Sequence, residues 1–185
     1  MASWSTIHLL LYSSFLMNLS TCQVNYTSAF PQANLDVPVY MKVPQGWFIN
    51  QCGRLQQHHN PKHNDTTHYL KLKNNLYGCK QATHNWFKLF IEGLCDLGFT
   101  QSSTDKCLFL CNDCIIVIYV DNFLFFSPSS GTIDAVKTSL SKIFKLKDEG
   151  NMLAFLGVQI TKDSKQKTMS FAQPGFIVQI IKDVV

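Results

Sequence analysis

Three apolar runs separated by two polar pairs lie between Leu108 and Phe126, and they limit the fold more than any other stretch of the chain. Residues 108–110 and 115–120 flank Asn112-Asp113, and residues 115–120 and 123–126 flank Asp121-Asn122. A two-residue Asn/Asp pair between β-branched or aromatic runs is a hairpin signal. The spacing therefore predicts tandem hairpins, which need further strands or helices to cover their apolar faces.

The rest of the chain supplies them. Trp86, Phe87, Phe90, Ile91, Leu94 and Leu97 recur at helical spacing, with Lys88, Glu92 and Asp96 on the opposite face and Gly98 as the C-terminal cap. A second helix is expected over 132–144, with Ile133, Val136, Leu140 and Ile143 inward. An N-terminal helix is expected after a Ser5 cap, through Ile7, Leu10, Leu11, Ser14 and Phe15. Residues 22–30 read as a strand, 37–43 as an extended piece, 50–68 as an exposed loop and 69–72 as a short strand. Residues 155–160 and 168–171 predict a hairpin over the Lys-rich turn 162–167, and Pro174 opens a last helix over 176–183. The fold class is α+β: an antiparallel sheet with helices on one face, compatible with a ferredoxin-like split βαβ core.

Composition excludes several classes. The chain is 46% apolar and 15% charged, against about 25% charged in ordinary domains, so it can bury a core and is not intrinsically disordered. No apolar run reaches the roughly 18 residues that cross a bilayer. The net charge of +4 is mild, no Asp, Glu, Lys or Arg precedes Asp36, and Arg54 is the one arginine. A polyanionic partner is permitted but not demanded. Seven cysteines are an odd number, which suits a reduced intracellular protein, cytoplasmic or nuclear, better than a disulfide framework. Cys111-Asn112-Asp113-Cys114 has the spacing of half a zinc knuckle or a redox pair, but its central residues place both cysteines at strand ends. His58, His59, His63 and His68 read as a solvated loop. A small secreted glycoprotein is a minor alternative: residues 7–17 are apolar, and Asn18, Asn25 and Asn64 begin glycosylation sequons. No Lys or Arg precedes the apolar stretch, as a signal peptide would have.

Asp121 is the one acid between Ile115 and Ser130. Tyr119-Val120-Asp121-Asn122 resembles the Tyr-Val-Asp-Asp box of reverse transcriptases of the copia-type retrotransposons. Leu76-Tyr77-Gly78-Cys79-Lys80-Gln81-Ala82 followed by Trp86 resembles that family's Leu-Tyr-Gly-Leu-Lys-Gln-Ala…Trp segment. Tyr40-Met41-Lys42-Val43-Pro44-Gln45-Gly46-Trp47 is similar to its Tyr-Met-x-x-Pro-x-Gly-Phe stretch. Leu97-Gly98-Phe99, Asp105-Lys106-Cys107-Leu108-Phe109 and Phe155-Leu156-Gly157-Val158 follow in family order. Together these cover nearly the whole chain.

The resemblance implies a reverse-transcriptase palm over 1–150, with most of the fingers missing. It also implies a primer-grip-like hairpin and the start of a thumb helix over 151–185. It implies an RNA-directed DNA polymerase ancestry, an RNA or DNA template–primer as partner, and Mg²⁺ as the family's cofactor. Gln81 and Tyr119 match positions near template and incoming nucleotide. In the family, three Asp hold two Mg²⁺, one from a first-strand Gln-x-Asp motif and two from the turn. Here the first motif reads Gln23-Val24-Asn25, and the turn keeps Asp121 but has Asn122. Two of three carboxylates have become amides, and a hard cation favours anionic oxygen. The expectation is a retrotransposon-derived fragment that does not polymerise and needs no cofactor, with Mg²⁺ relevant only to residual activity. The alternative is a non-catalytic nucleic-acid-binding module using Lys71, Lys73, Lys80 and Lys88. Tyr77, Trp86 and Phe90 are expected in the core.

Overall fold

The computed structural model describes residues 2–150, 154–155, 158–163 and 168–184. In chain order the elements are α1 (Trp4–Leu16), β1 (Ser20–Tyr26), a short 3-10 turn (Phe30–Gln32), β2 (Tyr40–Lys42), β3 (Trp47–Ile49), β4 (Leu55–Gln57), β5 (Tyr69–Lys71) and α2 (Ala82–Asp96). There follow β6 (Thr100–Gln101), β7 (Leu108–Cys111), β8 (Cys114–Tyr119), β9 (Asn122–Ser127), α3 (Ser130–Ser141), β10 (Leu146–Gly150), β11 (Ala154–Phe155), β12 (Val158–Asp163), β13 (Thr168–Ala172) and α4 (Pro174–Val184). They form two units, residues 1–28 with 90–185, and residues 29–89.

The first unit is built on a six-stranded sheet in the order β10-β1-β9-β8-β7-β6, with every neighbouring pair antiparallel. The β7–β8 hairpin closes as predicted, Cys111 opposite Cys114 around Asn112-Asp113. The β8–β9 hairpin differs by one residue. Tyr119 pairs with Asn122, so the corner is Val120-Asp121 rather than Asp121-Asn122. Val120 consequently has φ 61, a region that β-branched residues avoid. Propensity alone would have excluded Val from that corner. The pairing of β9 with both β8 and β1 overrides it.

One face of the sheet carries an aromatic cluster. Tyr26 of β1 and Phe123 of β9 lie 4.3 Å apart, ring centre to ring centre, and Phe90 of α2 packs on both at 5.2 and 4.5 Å. Phe144 closes the cluster 5.3 Å from Phe90. All four are buried, and burying each ring stabilises by about 1.5–3 kcal/mol. α2 ends as predicted, with Gly98 at φ 84 and the Phe99 N–H donating to the Leu94 carbonyl.

Two sequence expectations need correction in this unit and a third is extended. α1 is capped by Ser3 and not by Ser5. The Ser3 hydroxyl accepts the Thr6 N–H, and Asp105 accepts the Ser3 N–H and the Thr6 hydroxyl. That partner lies about a hundred residues away and leaves no local signal. α3 stops at Ser141, so Ile143 is exposed and Phe144 takes the buried place. Leaving the helix early frees the chain to form β10, a charged edge strand beside β1 whose Leu-Lys-Asp-Glu-Gly sequence has no apolar alternation to announce it. The hairpin expected from 155–160 and 168–171 is present as β12 with β13, β11 adds a third strand beside β12, and α4 follows with Pro174 in its first turn. Leu156, Gly157 and residues 164–167 of the expected turn lie outside the described residues.

The second unit holds two short antiparallel pairs, β2 with β5 and β3 with β4. Part of the loop expected at 50–68 is therefore the strand β4. The Asp65 carboxylate accepts the N–H groups of Ile49, Thr67 and His68 and the Thr67 hydroxyl. The Ile49 N–H does most to pull this carboxyl well below the usual carboxylate range. Tyr77 is exposed and lies 4.5 Å from Phe30, whereas Trp86 and Phe90 are buried as expected. Among the described residues, no helix is long and apolar enough to cross a membrane.

Candidate functional site

Three side chains singled out in the sequence meet at one end of the six-stranded sheet. Antiparallel pairing sets Asn25 of β1 directly opposite Asn122 of β9, and Asp121 is the turn residue immediately before Asn122. The Tyr26 N–H donates to the Asp121 carbonyl at 3.1 Å, which ties the end of β1 to this turn. Side chains alternate along β1: Cys22, Val24 and Tyr26 are buried, whereas Gln23 and Asn25 sit half-buried on the other face.

The cluster is a chain of amides ending on one carboxylate. Asn25 Nδ2 donates to Asn122 Oδ1 at 3.3 Å, and Gln23 Nε2 donates to the same oxygen at 3.4 Å. Asn122 Nδ2 in turn donates to Asp121 Oδ1 at 3.2 Å. Gln23 was not among the expected site residues. The i, i+2 period of a strand places it on the face of Asn25, and that was the signal available for it.

This donor set does not suit a pair of magnesium ions. Asn25 and Gln23 direct N–H groups, not lone pairs, at Asn122, and Asp121 supplies the one full negative charge. Asp148 does not fill the gap. It lies opposite Val24 and turns to the face of Cys22, whose thiol donates to Asp148 Oδ1 at 3.3 Å while Lys137 Nζ donates to Oδ2 at 2.7 Å. The hydrogen bond from Lys137 holds the Asp148 carboxyl below its ordinary range. Among the described residues, no group of three or more His, Cys, Asp or Glu could hold a metal ion. The sequon at Asn25 is equally unsuited to a glycan, because the residue is half-buried inside a paired strand.

Tyr119 ends β8, half-buried, with the Trp4 ring 6.2 Å and the Phe155 ring 6.0 Å away. Gln81 belongs to the other unit, just before α2, where its carbonyl accepts the Asn85 N–H at 2.9 Å. Lys71, Lys73, Lys80 and Lys88 are exposed, also in that unit.

Residues 1–185 match the family described as reverse transcriptase (RNA-dependent DNA polymerase). The chain belongs to that family. Its relatives place it with the copia-type elements. It is 26% identical over 183 residues to a retrovirus-related Pol polyprotein from the Nicotiana tabacum transposon TNT 1-94, covering 96% of this chain and 13% of that protein. It is 30% identical over 141 residues to a putative transposon Ty5-1 protein of Saccharomyces cerevisiae, covering 74% of this chain and 42% of that one. It is also 30% identical over 142 residues to a Pol polyprotein from the Arabidopsis thaliana transposon RE1, covering 74% of this chain and 9% of that protein. The copia-type reverse-transcriptase chain thus spans less than half the length of each of these relatives. One solved structure, an apo telomerase from Candida tropicalis truncated from its C-terminal domain, aligns over 93% of this chain and 40% of that one, with 9% identity and a TM-score of 0.45.

Proposed function

We propose that this copia-type reverse-transcriptase region is a retrotransposon-derived palm that has lost the capacity to extend a template–primer. The observation that carries the reading is the side-chain chain at the sheet end: Asn25 opposite Asn122, with Asp121 the one carboxylate in that chain among the described residues. Two-metal phosphoryl transfer needs clustered anionic oxygens to hold two cations and to offset their mutual repulsion. An amide keeps the shape of the acid it replaces and loses the charge.

The strand order supports a ferredoxin-like split βαβ core. β1, α2, β8, β9, α3 and β10 follow in sequence as βαββαβ, and these four strands lie side by side as β10-β1-β9-β8. On this reading Tyr119 and Gln81 are the contacts to incoming nucleotide and template, and residues 154–184 are the primer-grip-like hairpin and the helix after it. The exposed lysines 71, 73, 80 and 88 favour a second reading, nucleic-acid binding as the retained function without chemistry. Its location is then where nucleic acid is, inside the cell.

Template-directed dNTP incorporation, measured with Mg²⁺ and with Mn²⁺, tests the reading. The expected result is no extension with either ion. Clear, template-dependent extension overturns it.

A further inference from the structure

We propose that Cys111 and Cys114 form a dithiol site that closes reversibly to a disulfide by exchange with a small disulfide of the glutathione class. The two residues are direct register partners across the two-residue turn Asn112-Asp113, so their side chains leave the same face of the hairpin. Paired positions in an antiparallel ladder have Cα atoms about 4.5–5.5 Å apart, inside the range a disulfide spans without backbone movement. Both thiols are free. By contrast, Cys22 of β1 stands opposite Phe125.

Access comes from a cleft. Cys111 and Cys114 line a depression of about 360 Å³ together with Leu97, Phe99 and Val136. Within it Cys111 is half-buried and Cys114 is buried, which assigns the order of events. The Cys111 thiolate attacks one sulfur of glutathione disulfide and expels one glutathione thiolate. Cys114 then gives its proton to water and attacks the Cys111 sulfur, expelling the second glutathione. Two electrons pass from the dithiol to the glutathione disulfide, and two glutathione molecules leave. Burial, helped by the neighbouring Cys111, pushes the Cys114 thiol up to about 12. The closing step is therefore the slower one, and its rate rises with pH across the neutral and mildly alkaline range.

The full-length chain, folded and reduced, is treated with glutathione disulfide at several pH values, quenched with an alkylating reagent, digested and mapped by mass spectrometry. The expected product is a Cys111–Cys114 peptide lighter by two hydrogens, forming faster as pH rises. Cys114→Ser is expected to accumulate glutathione on Cys111 and stop there, and Cys111→Ser to give neither product. Cys114→Ala, which suits a buried position better, serves if the serine variant fails to fold. Glutathione that stays on Cys111 of the unsubstituted chain at the highest pH and the longest time, closure with a different cysteine, or a Cys111 that stays inert while the exposed Cys52 and Cys95 react would each overturn the proposal.

Discussion

Val120 holds φ 61 at the corner before Asp121, where a β-branched residue costs on the order of 1–3 kcal/mol. Glycine carries no such penalty at that angle, although it raises the entropy of the unfolded chain. Val120→Gly is therefore expected to raise stability by about 1 kcal/mol, read as a higher midpoint in urea unfolding; a lower midpoint would show that the corner is not strained. Asp105 works the other way. Its burial favours the neutral acid, but the N–H groups of Ser3 and Cys107 and the Thr6 hydroxyl outweigh this and hold its pKa below the ordinary value. The stability it contributes is thus full above the ordinary aspartate pKa of about 3.9 and disappears as pH falls through the folded value. Asp105→Ala should cost about 1–2 kcal/mol at neutral pH and less at a pH low enough to protonate the folded carboxyl. An equal loss at both pH values would exclude the carboxylate as the cause.

At the scale of elements, α2 and the segment that follows α3 meet through a missing side chain. A Cβ placed on Gly93 would come within 2.9 Å of the Phe144 ring. Gly93→Ala gains about 1 kcal/mol of helix propensity but overpacks a ring held among Phe90 and Tyr26. The expected outcome is net destabilisation of about 1–2 kcal/mol by thermal or denaturant unfolding, and a gain in stability would mean that Phe144 can move aside. This contact also marks what was legible in the sequence. The α2 face, the Gly98 cap, the Cys111–Cys114 hairpin and the Pro174 helix start are local patterns, and each was read from spacing alone. The Ser3 cap depends on Asp105, the early end of α3 on a strand that must reach β1, and β4 on a three-residue pairing. These are long-range effects with no local period. The site was legible in part for the same reason. Asn25, Asp121 and Asn122 were found through motifs, while Gln23 and the exclusion of Asp148 required the pairing and face of β1.

For the whole molecule, charge sets the expectations. If the exposed lysines of residues 29–89 engage nucleic acid, affinity must fall with salt by about 0.7–0.9 log units per log unit of salt for each phosphate contacted. Replacing Lys71 and Lys73 together by Gln should reduce that slope by about 1.4–1.8 while leaving the thermal midpoint nearly unchanged, because both side chains are exposed; an unaltered slope would remove them from the interface. The proposal that Asn25 and Asn122 stand where metal-binding carboxylates are needed is tested most directly by introducing them. The thermal unfolding midpoint is measured against Mg²⁺ concentration for the natural chain and for Asn25→Asp/Asn122→Asp. The midpoint of the natural chain is expected to stay fixed, and that of the double variant to start lower, through repulsion among three acids, and to climb as Mg²⁺ is added. A natural chain that responds to Mg²⁺ as strongly as the double variant would contradict the account.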